Sequence, residues 1–255
     1  MLMPFLCSSA LALYALIRRA LTPAATATAW VMCLVMSVVG GMTAFFTVAA
    51  VLLLTVIADR ISYCRADPNG LRKKRGMRDC TRVMCNLSVS FASILALGMT
   101  RKEVFMAGFS AAMAESLADS LASKIGPLSK KQPIDICRLR RTSTGLSGGV
   151  TLLGTLAELF GAALAAGVYF IGRGRIVPAL AVLAAGFLGA VFDSVLGSIV
   201  QVKYRCPVCG AVSERQYHCD ARGSIESGFA FINNDTVNLL SNFSSLLLAF
   251  LILWE

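Results

Sequence analysis

Apolar segments of 16 to 27 residues recur along almost the whole chain. A helix needs about 20 mostly apolar residues to cross a bilayer, so the shorter segments are expected to tilt or to thin the membrane. The eight candidate spans are Leu2–Ile17, Ala24–Val39, Met42–Ile57, Val83–Gly98, Val104–Ala122, Leu146–Ile171, Ile176–Val200 and Gly228–Trp254. With 56% hydrophobic and 15% charged residues, the composition excludes a water-soluble domain. The sequence predicts an all-α polytopic transmembrane bundle, a single membrane domain over residues 1–255.

Basic residues are concentrated in alternate connections. Of the 24 Lys and Arg residues, 20 lie in four connections, residues 18–23, 59–82, 123–145 and 201–227. By the positive-inside rule these connections are cytoplasmic and both termini lie outside. Arg18 and Arg19 follow the first apolar segment instead of preceding it, which favours a retained span over a signal peptide. The net charge of +10 therefore reflects topology, with binding of phosphate or anionic headgroups as an additional role, and no nucleic-acid-binding pattern accompanies it.

Two carboxylates interrupt the fifth apolar segment. Glu115, Asp119 and Ser123 are spaced at i, i+4 and i+8, so they lie on one face of a helix. A carboxylate in a membrane costs roughly 2.5 to 3.5 kcal/mol and marks a cavity, a partner or an ion. The segment ADSLASKIG at 118–126 is echoed by FDSVLGSIV at 192–200. This echo raises the hypothesis of an internal duplication.

Polar residues from five spans are predicted to share one depth near the cytoplasmic ends. They are Asp119 and Asp193 on inward-running spans, and Asn86, Ser147, Gly148, Gly149, Asn233, Asn234, Asp235 and Asn238 on outward-running spans. This pattern predicts a polar cavity open to the cytoplasm. Asp119 and Asp193 could instead form helix–helix hydrogen bonds or snorkel to the interface, whereas a divalent cation explains why they share a depth with Asp235. Glu158 has no polar neighbour in sequence and is placed outside this site.

The segment GLSGG at 145–149 has two interpretations. Its glycines permit close packing of helices. At the start of a helix, they also present free backbone N–H groups and the positive end of the helix dipole, which suit a phosphate.

Five ordered motifs resemble a known integral-membrane family. They are ADSLASKIG, TGLSGGVTLLGTLAELFGA, GFLGAVFDSVLGSIVQ, the Cys-rich loop and FINNDTVNLL. Together they resemble the family called domain of unknown function 92, which includes animal transmembrane protein 19 and plant phytyl-phosphate kinase. The likeness covers most of the chain. It implies phosphorylation of an isoprenoid monophosphate to its diphosphate by a nucleoside triphosphate.

The resemblance also implies site residues. The positions that match the family motifs are Asp119, Ser123, Gly126, Gly145, Ser147, Gly148, Gly149, Asp193, Gln201, Asn233, Asn234, Asp235 and Asn238. The three aspartates, with Glu115, are expected to hold Mg²⁺, while Lys124, Arg78 and Arg82 clamp phosphates beside Asn86. A weaker similarity to CTP-using membrane kinases makes CTP one expected donor. Lys124 stands where the family usually has Glu.

The connection over residues 201–227 contains a candidate zinc site. Cys206 and Cys209 form a C-x2-C pair, and His218 and Cys219 supply two more soft ligands. Such a site would be structural. Unliganded thiols and a disulfide are the alternatives, and a disulfide is disfavoured in the cytoplasm.

The function predicted from the sequence is a membrane-embedded, Mg²⁺-dependent kinase. Its expected partners are the lipid bilayer, a nucleoside triphosphate and a prenyl-phosphate lipid, bound at the cytoplasmic face. A transporter and a non-catalytic membrane scaffold are the alternative function classes. The polar motifs cluster toward one face, whereas a transporter site usually lies near the midplane.

Overall fold

The computed structural model describes residues 2–66 and 76–254, so the predicted cytoplasmic residues Arg72, Lys73, Lys74 and Arg75 lie outside the described residues. Seven helices form in the described ranges: α1 (Leu2–Ile17), α2 (Pro23–Ala66), α3 (Cys80–Thr100), α4 (Val104–Ile125), α5 (Leu152–Arg173), α6 (Ile176–Ile199) and α7 (Asn234–Ile252). Five stretches are long and apolar enough to cross a membrane: Pro23–Tyr63, Cys80–Thr100, Leu152–Arg173, Ile176–Ile199 and Asn234–Ile252. The prediction of a mostly helical membrane protein is confirmed.

The 44-residue α2 reverses direction at Gly41. This glycine has φ 71° and ψ −163°, a backbone conformation that is essentially restricted to glycine. The contacts of Arg78 show the reversal, because its backbone pairs with Leu21 while its side chain contacts Asp59 at 3.2 Å. On one straight helix, Leu21 and Asp59 would be separated by roughly 55 Å. Residues 23–40 and 42–66 therefore run antiparallel.

Helix α4 occupies the centre of the bundle. It packs against α2, α3, α5, α6 and α7, and nearly all its side chains from Met106 to Ala118 are buried. Glycines of neighbouring helices permit this contact: a Cβ at Gly161 would lie 2.9 Å from Ala118 Cα, and one at Gly186 would lie 2.5 Å from Ala114 Cβ. Small residues allow such close helix packing in membranes. The surrounding helices thereby shield a helix that carries polar residues.

The connections that carry most of the basic residues lie at one end of the bundle. Near the end of α4, Lys124 Nζ lies 3.7 Å from Asp59 Oδ1 at the far end of α2. At the opposite end, Arg173 of α5 lies 3.3 Å from Glu103 and donates to the Gly40 carbonyl oxygen at 3.0 Å. The starts of α3, α5 and α7 and the ends of α4 and α6 therefore share one end, called here the basic end.

Two spans were predicted to begin before the helices that the structure shows. Helix α5 starts at Leu152, not Leu146, because residues 149–150 form the short strand β2 (Gly149–Val150), paired with β1 (Ile134–Asp135). The Thr151 side chain then caps α5 by accepting the Gly154 N–H. Helix α7 starts at Asn234, where Asn233 accepts the Thr236 N–H, and not at Gly228.

The Cys/His connection adds a small β structure to the predicted all-α fold. Its strands are β3 (Lys203–Arg205), β4 (Val212–Ser213), β5 (Tyr217–His218), β6 (Ala221–Arg222) and β7 (Ser224–Ser227). Strands β4, β3 and β7 form an antiparallel sheet in that order, and β5 pairs with β6. This layer lies at the basic end, between α6 and α7.

Candidate functional site

Four carboxylates from three helices meet inside the bundle. Glu115 and Asp119 lie on α4, Glu158 on α5 and Asp193 on α6, and each interacts electrostatically with the other three. Glu115, Glu158 and Asp193 are only 1%, 4% and 7% exposed, and Asp119 is half-buried. Like charges repel strongly away from water. A cation or bound protons must therefore offset this concentration of negative charge.

Ser241 of α7 connects two of these carboxylates. Its hydroxyl lies 2.7 Å from Glu115 Oε1 and 3.0 Å from Asp193 Oδ2, so its single hydrogen can be donated to either oxygen. The second oxygen of Glu115, Oε2, is buried and has no hydrogen-bond partner among the described residues. Leaving such an oxygen unsatisfied is costly. Carboxylate oxygens are the ligands that Mg²⁺ prefers, so this donor set fits a hard divalent cation.

The prediction that Glu158 lies away from the other polar residues is wrong. It has no polar neighbour within its own helix, but α5 packs on α4 and buries Glu158 near Glu115 and Asp119. One signal in the sequence was usable: Glu158 is an acid within a predicted span, Leu146–Ile171, that begins at the same end as the predicted cavity.

Asp235 lies apart from the four carboxylates. Its Oδ1 is 3.8 Å from Arg82 Nε, and the charges that act on it are those of Arg82 and Asp79. The structure thus does not bring Asp235 together with Asp119 and Asp193. The charges that act on Asp235 come from the start of α3, whereas Asp119 and Asp193 interact with Glu115 and Glu158.

Asn238 links α3 to the carboxylates. Its amide nitrogen donates to Asn86 Oδ1 at 3.3 Å. With the amide turned over, the nitrogen instead donates to Asp193 Oδ2 at 3.2 Å and to the Asn234 carbonyl oxygen at 3.0 Å. Asn86 also donates to the Arg82 carbonyl oxygen at 2.8 Å. A polar path therefore runs from the start of α3 to Asp193.

Two predicted phosphate clamps contact Asp59, a residue that the sequence patterns did not single out. Lys124 Nζ lies 3.7 Å and Arg78 3.2 Å from its carboxylate. Lys124 is 6% exposed and also donates to the Ser120 carbonyl oxygen at 3.3 Å. Lys124, which stands where the family usually has Glu, is thus paired with the carboxylate of Asp59 on α2.

Of the two interpretations of the glycine segment 145–149, the row of free N–H groups is not favoured by its contacts. The Ser147 N–H donates to Glu214 Oε1 at 2.6 Å, and the Gly149 N–H donates to the Leu146 carbonyl oxygen at 3.2 Å. The segment also precedes α5 instead of opening it. Gly148 packs on Ser198, since a Cβ there would lie 2.6 Å from the Ser198 Cα. Gly148 and Gly149 thus serve close packing, whereas Gly145 is surrounded by open space.

The other predicted motif residues have mostly structural contacts. The Gly126 carbonyl oxygen accepts the Thr151 hydroxyl at 3.2 Å, joining the end of α4 to the start of α5. Ser123 is exposed and donates to the Ser120 carbonyl oxygen at 3.3 Å, and Gly145 is exposed. Gln201 is 2% exposed, and its Oε1 has no partner among the described residues.

A buried junction that the sequence did not reveal holds the loop before β2. Asp135 accepts the Ser198 hydroxyl at 2.7 Å and the backbone N–H groups of Arg138 and Cys137 at 2.8 and 3.1 Å. Burial raises the pKa of Asp135, but these hydrogen bonds outweigh it and hold the pKa below its ordinary value. Lys203 donates to the Ser147 carbonyl oxygen at 3.0 Å. The loop is therefore fixed to the end of α6.

The candidate zinc ligands are brought together. One ligand atom from each of Cys206, Cys209, His218 and Cys219 lies within 4.8 Å of the others, and the Cys209 and Cys219 sulfurs are both 3.3 Å from His218 Nδ1. The Cys209 N–H lowers the pKa of Cys206 to about 6, whereas hydrogen bonding with Cys209 raises that of Cys219 to about 11. Three sulfurs and one nitrogen form a donor set that fits tetrahedral zinc.

Comparison with known proteins identifies the family. The family model described as "Integral membrane protein DUF92" matches residues 6–246. The chain belongs to this family. No solved structure matches the chain.

Three curated relatives are similar to this chain over 52% to 79% of its length. An uncharacterized membrane protein of Methanocaldococcus jannaschii is 28% identical over 52% of this chain and 58% of its own length. An uncharacterized membrane protein of Synechocystis is 28% identical over 73% of this chain and 74% of its own. Protein VTE6, chloroplastic, of Arabidopsis thaliana is 24% identical over 79% of this chain. The match spans 56% of that plant protein's length.

Proposed function

We propose that this DUF92 protein is a membrane-embedded, Mg²⁺-dependent kinase that converts a prenyl monophosphate to the diphosphate with CTP or another nucleoside triphosphate. One observation carries the proposal: the buried cluster of Glu115, Asp119, Glu158 and Asp193, with an unpartnered oxygen on Glu115. The similarity to VTE6 and the resemblance to the phytyl-phosphate kinase branch supply the substrate class.

The carboxylates would hold the metal ion. A Mg²⁺ ion held there would supply positive charge that offsets the negative charge of the donor phosphates. Glu115, Asp119 and Asp193 are the proposed ligands, with Ser241 orienting Glu115 and Asp193. Asp235 instead holds Arg82 at the mouth of the polar path, where the guanidinium can neutralise an incoming phosphate.

The acceptor needs little chemical activation. A prenyl monophosphate already carries an anionic oxygen, which attacks the terminal phosphorus of the donor while the bond to the nucleoside diphosphate breaks. Arg82 and Asn86 of α3 face Asn238 of α7, which reaches Asp193 when its amide is turned over, and these three residues are proposed to bind the acceptor phosphate. The protein then contributes alignment and charge.

The proposed arrangement has eight crossings with the basic end in the cytoplasm. The reversal of α2 at Gly41 supports two crossings within that helix, and the distribution of Lys and Arg supports the orientation. The Cys/His loop is proposed to bind a structural zinc. Through Glu214 and Ser147, this zinc would fix the loop that packs on the end of α6.

Incubation of the purified protein with terminally labelled nucleotides, Mg²⁺ and a panel of prenyl phosphates tests the kinase proposal. We expect labelled prenyl diphosphate, formed only with Mg²⁺. Absence of label transfer for every donor and acceptor, from protein that retains its helical content and melting transition, would reject the proposal.

A cation-coupled transporter is the second candidate. Glu115 lies near the middle of α4. Transporter sites usually lie near the middle of the bilayer, which the middle of a spanning helix would occupy. Uptake of a solute into proteoliposomes, driven by an ion gradient and without phosphoryl transfer, would favour this alternative.

A further inference from the structure

An apolar groove of about 360 Å³ runs between α3 and α7. Small residues of α3 form one wall, and larger residues of α7 form the other: Ser88, Ala92 and Ala96 face Phe243, Leu246 and Phe250. No charged side chain is among the described residues that line it. Phe243 is 50% exposed, so the groove is open on the side that would face lipid.

The floor of the groove depends on a glycine and an aromatic pair. A Cβ at Gly108 of α4 would lie 2.6 Å from Phe250 Cε1, so only glycine lets this ring sit against α4. The ring of Phe105 then packs edge-on against Phe250, with centroids 5.4 Å apart. The Ser93 hydroxyl donates to the Phe105 carbonyl oxygen at 2.7 Å. The groove therefore presents an almost entirely apolar surface.

The inner end of the groove leads to the polar path. Asn86 precedes Ser88 by two residues on α3, and Asn238 lies about one turn before Phe243 on α7. These two amides are in contact, and Asn238 reaches Asp193 when its amide is turned over. The groove follows the helices for roughly 12 Å, the rise from Ser88 to Ala96, across the middle of α3 and toward the end opposite the basic end. A prenyl phosphate has a matching order, with a phosphate that suits the two amides and an apolar chain that extends away from them.

We propose that the groove binds the hydrocarbon chain of the prenyl phosphate acceptor, with its phosphate beside Asn86 and Asn238. This inference rests on the proposed function for the identity of the lipid. The aromatic rings provide large apolar contact surfaces, and the open side admits the chain directly from the bilayer. The kinase would therefore recognise its acceptor by chain as well as by phosphate.

Photolabelling tests this site. A prenyl phosphate with a diazirine in its chain is irradiated with wild-type protein in nanodiscs, and the labelled peptides are identified by mass spectrometry. We expect labels in α3 and α7. Ala92→Phe fills the groove and should lower labelling at least tenfold, and it should raise KM more for a long prenyl phosphate than for a five-carbon one. Ala163→Phe, the same change at an exposed alanine of α5, should alter neither.

Several outcomes would overturn the inference. Wild-type labels outside α3, α7 and Phe105 of the groove floor would place the chain elsewhere, even if Ala92→Phe failed to fold. If a folded Ala92→Phe variant were labelled as strongly as the wild type, the chain would also have to bind elsewhere. Competition by phosphatidylglycerol equal to that by unlabelled prenyl phosphate would assign the groove to ordinary lipid. If phosphate is transferred from the labelled nucleotide but the groove is not photolabelled, only the groove proposal is rejected. If the groove is photolabelled specifically but no phosphate is transferred, only the kinase proposal is rejected.

Discussion

Glu158 shares its buried environment with three other carboxylates, and its charge has two opposite consequences. Without a cation, it adds repulsion to Glu115, Asp119 and Asp193. With a cation bound, the same charge favours binding. A residue that only packed the helices together would not show both effects.

We therefore expect Glu158→Gln to raise the melting temperature in the presence of a chelator and to weaken divalent-cation binding by about 10- to 100-fold, in the range known for supporting residues of metal sites. Thermal unfolding with and without Mg²⁺ measures both. Glu103→Gln, which changes a carboxylate paired with Arg173 at the opposite end, is the matched control. A Glu158→Gln variant with wild-type cation affinity would remove Glu158 from the site.

Contacts within one helix could be predicted from spacing, and a common depth grouped residues of different helices, but the pairing of particular side chains between helices could not be predicted. The i, i+4 rule places Glu115 and Asp119 on one face, and both lie on α4. The proximity of Glu158 and the pairing of Lys124 with Asp59 depend on how α5 and α2 rotate about their axes. Hydrophobicity does not specify that rotation when small residues line the interface.

Of two turns that depend on glycine, one was predicted from the sequence. The candidate spans Ala24–Val39 and Met42–Ile57 meet at Gly40 and Gly41, and the φ of 71° at Gly41 reverses α2 there. The later start of α5 was not predicted, because the segment 146–151 is apolar enough to continue a span, yet Gly148 has φ 84° and β2 pairs with β1. Hydropathy reports burial in lipid, whereas these two turns depend on glycine backbone freedom.

Gly41→Ala should destabilise the reversal of α2. Open space surrounds Gly41, so the cost is conformational and of order 1 to 3 kcal/mol. Gly167 of α5 is also surrounded by open space but is helical, so Gly167→Ala should be neutral or mildly stabilising. Unfolding of both variants in the same detergent provides the measurement. Equal stability of the two variants would contradict a strained turn at Gly41.

The Cys/His loop should bind about one zinc per chain, since four ligands complete a structural site. Cys206→Ser should abolish zinc binding and disorder the loop, whereas Cys137→Ser, which changes an exposed cysteine outside the cluster, should retain the metal. Metal analysis of protein purified without chelators checks this. Zinc-free wild-type protein would contradict it.

The molecule as a whole surrounds one polar helix with apolar ones. Helix α4 carries Glu115 and Asp119 but contacts five other helices, so its polar face meets protein instead of lipid. The basic connections lie together at the end where this polar face opens toward Arg82 and Asn86. The carboxylates are thus connected by polar residues to one end of the bundle.

This architecture predicts the sidedness of the loops. Cysteines placed at Arg101 and Arg175 should react with an impermeant reagent from outside, whereas those at Lys131 and Arg215 should react only after permeabilisation. All four positions are exposed, so accessibility reports topology and not burial. Labelling of Lys131→Cys and Arg175→Cys from the same side would contradict eight crossings.

Divalent-cation binding is the most direct test of the carboxylate site. Electron paramagnetic resonance of Mn²⁺ should show a bound ion in the wild-type protein, competed by Mg²⁺. Binding should weaken by about 100-fold or more in Glu115→Gln and Asp193→Asn, as a removed charge at a buried electrostatic site implies, but be retained in Asp235→Asn and Glu103→Gln. Unchanged Mn²⁺ affinity in folded Glu115→Gln and Asp193→Asn would contradict a cation site built from these carboxylates.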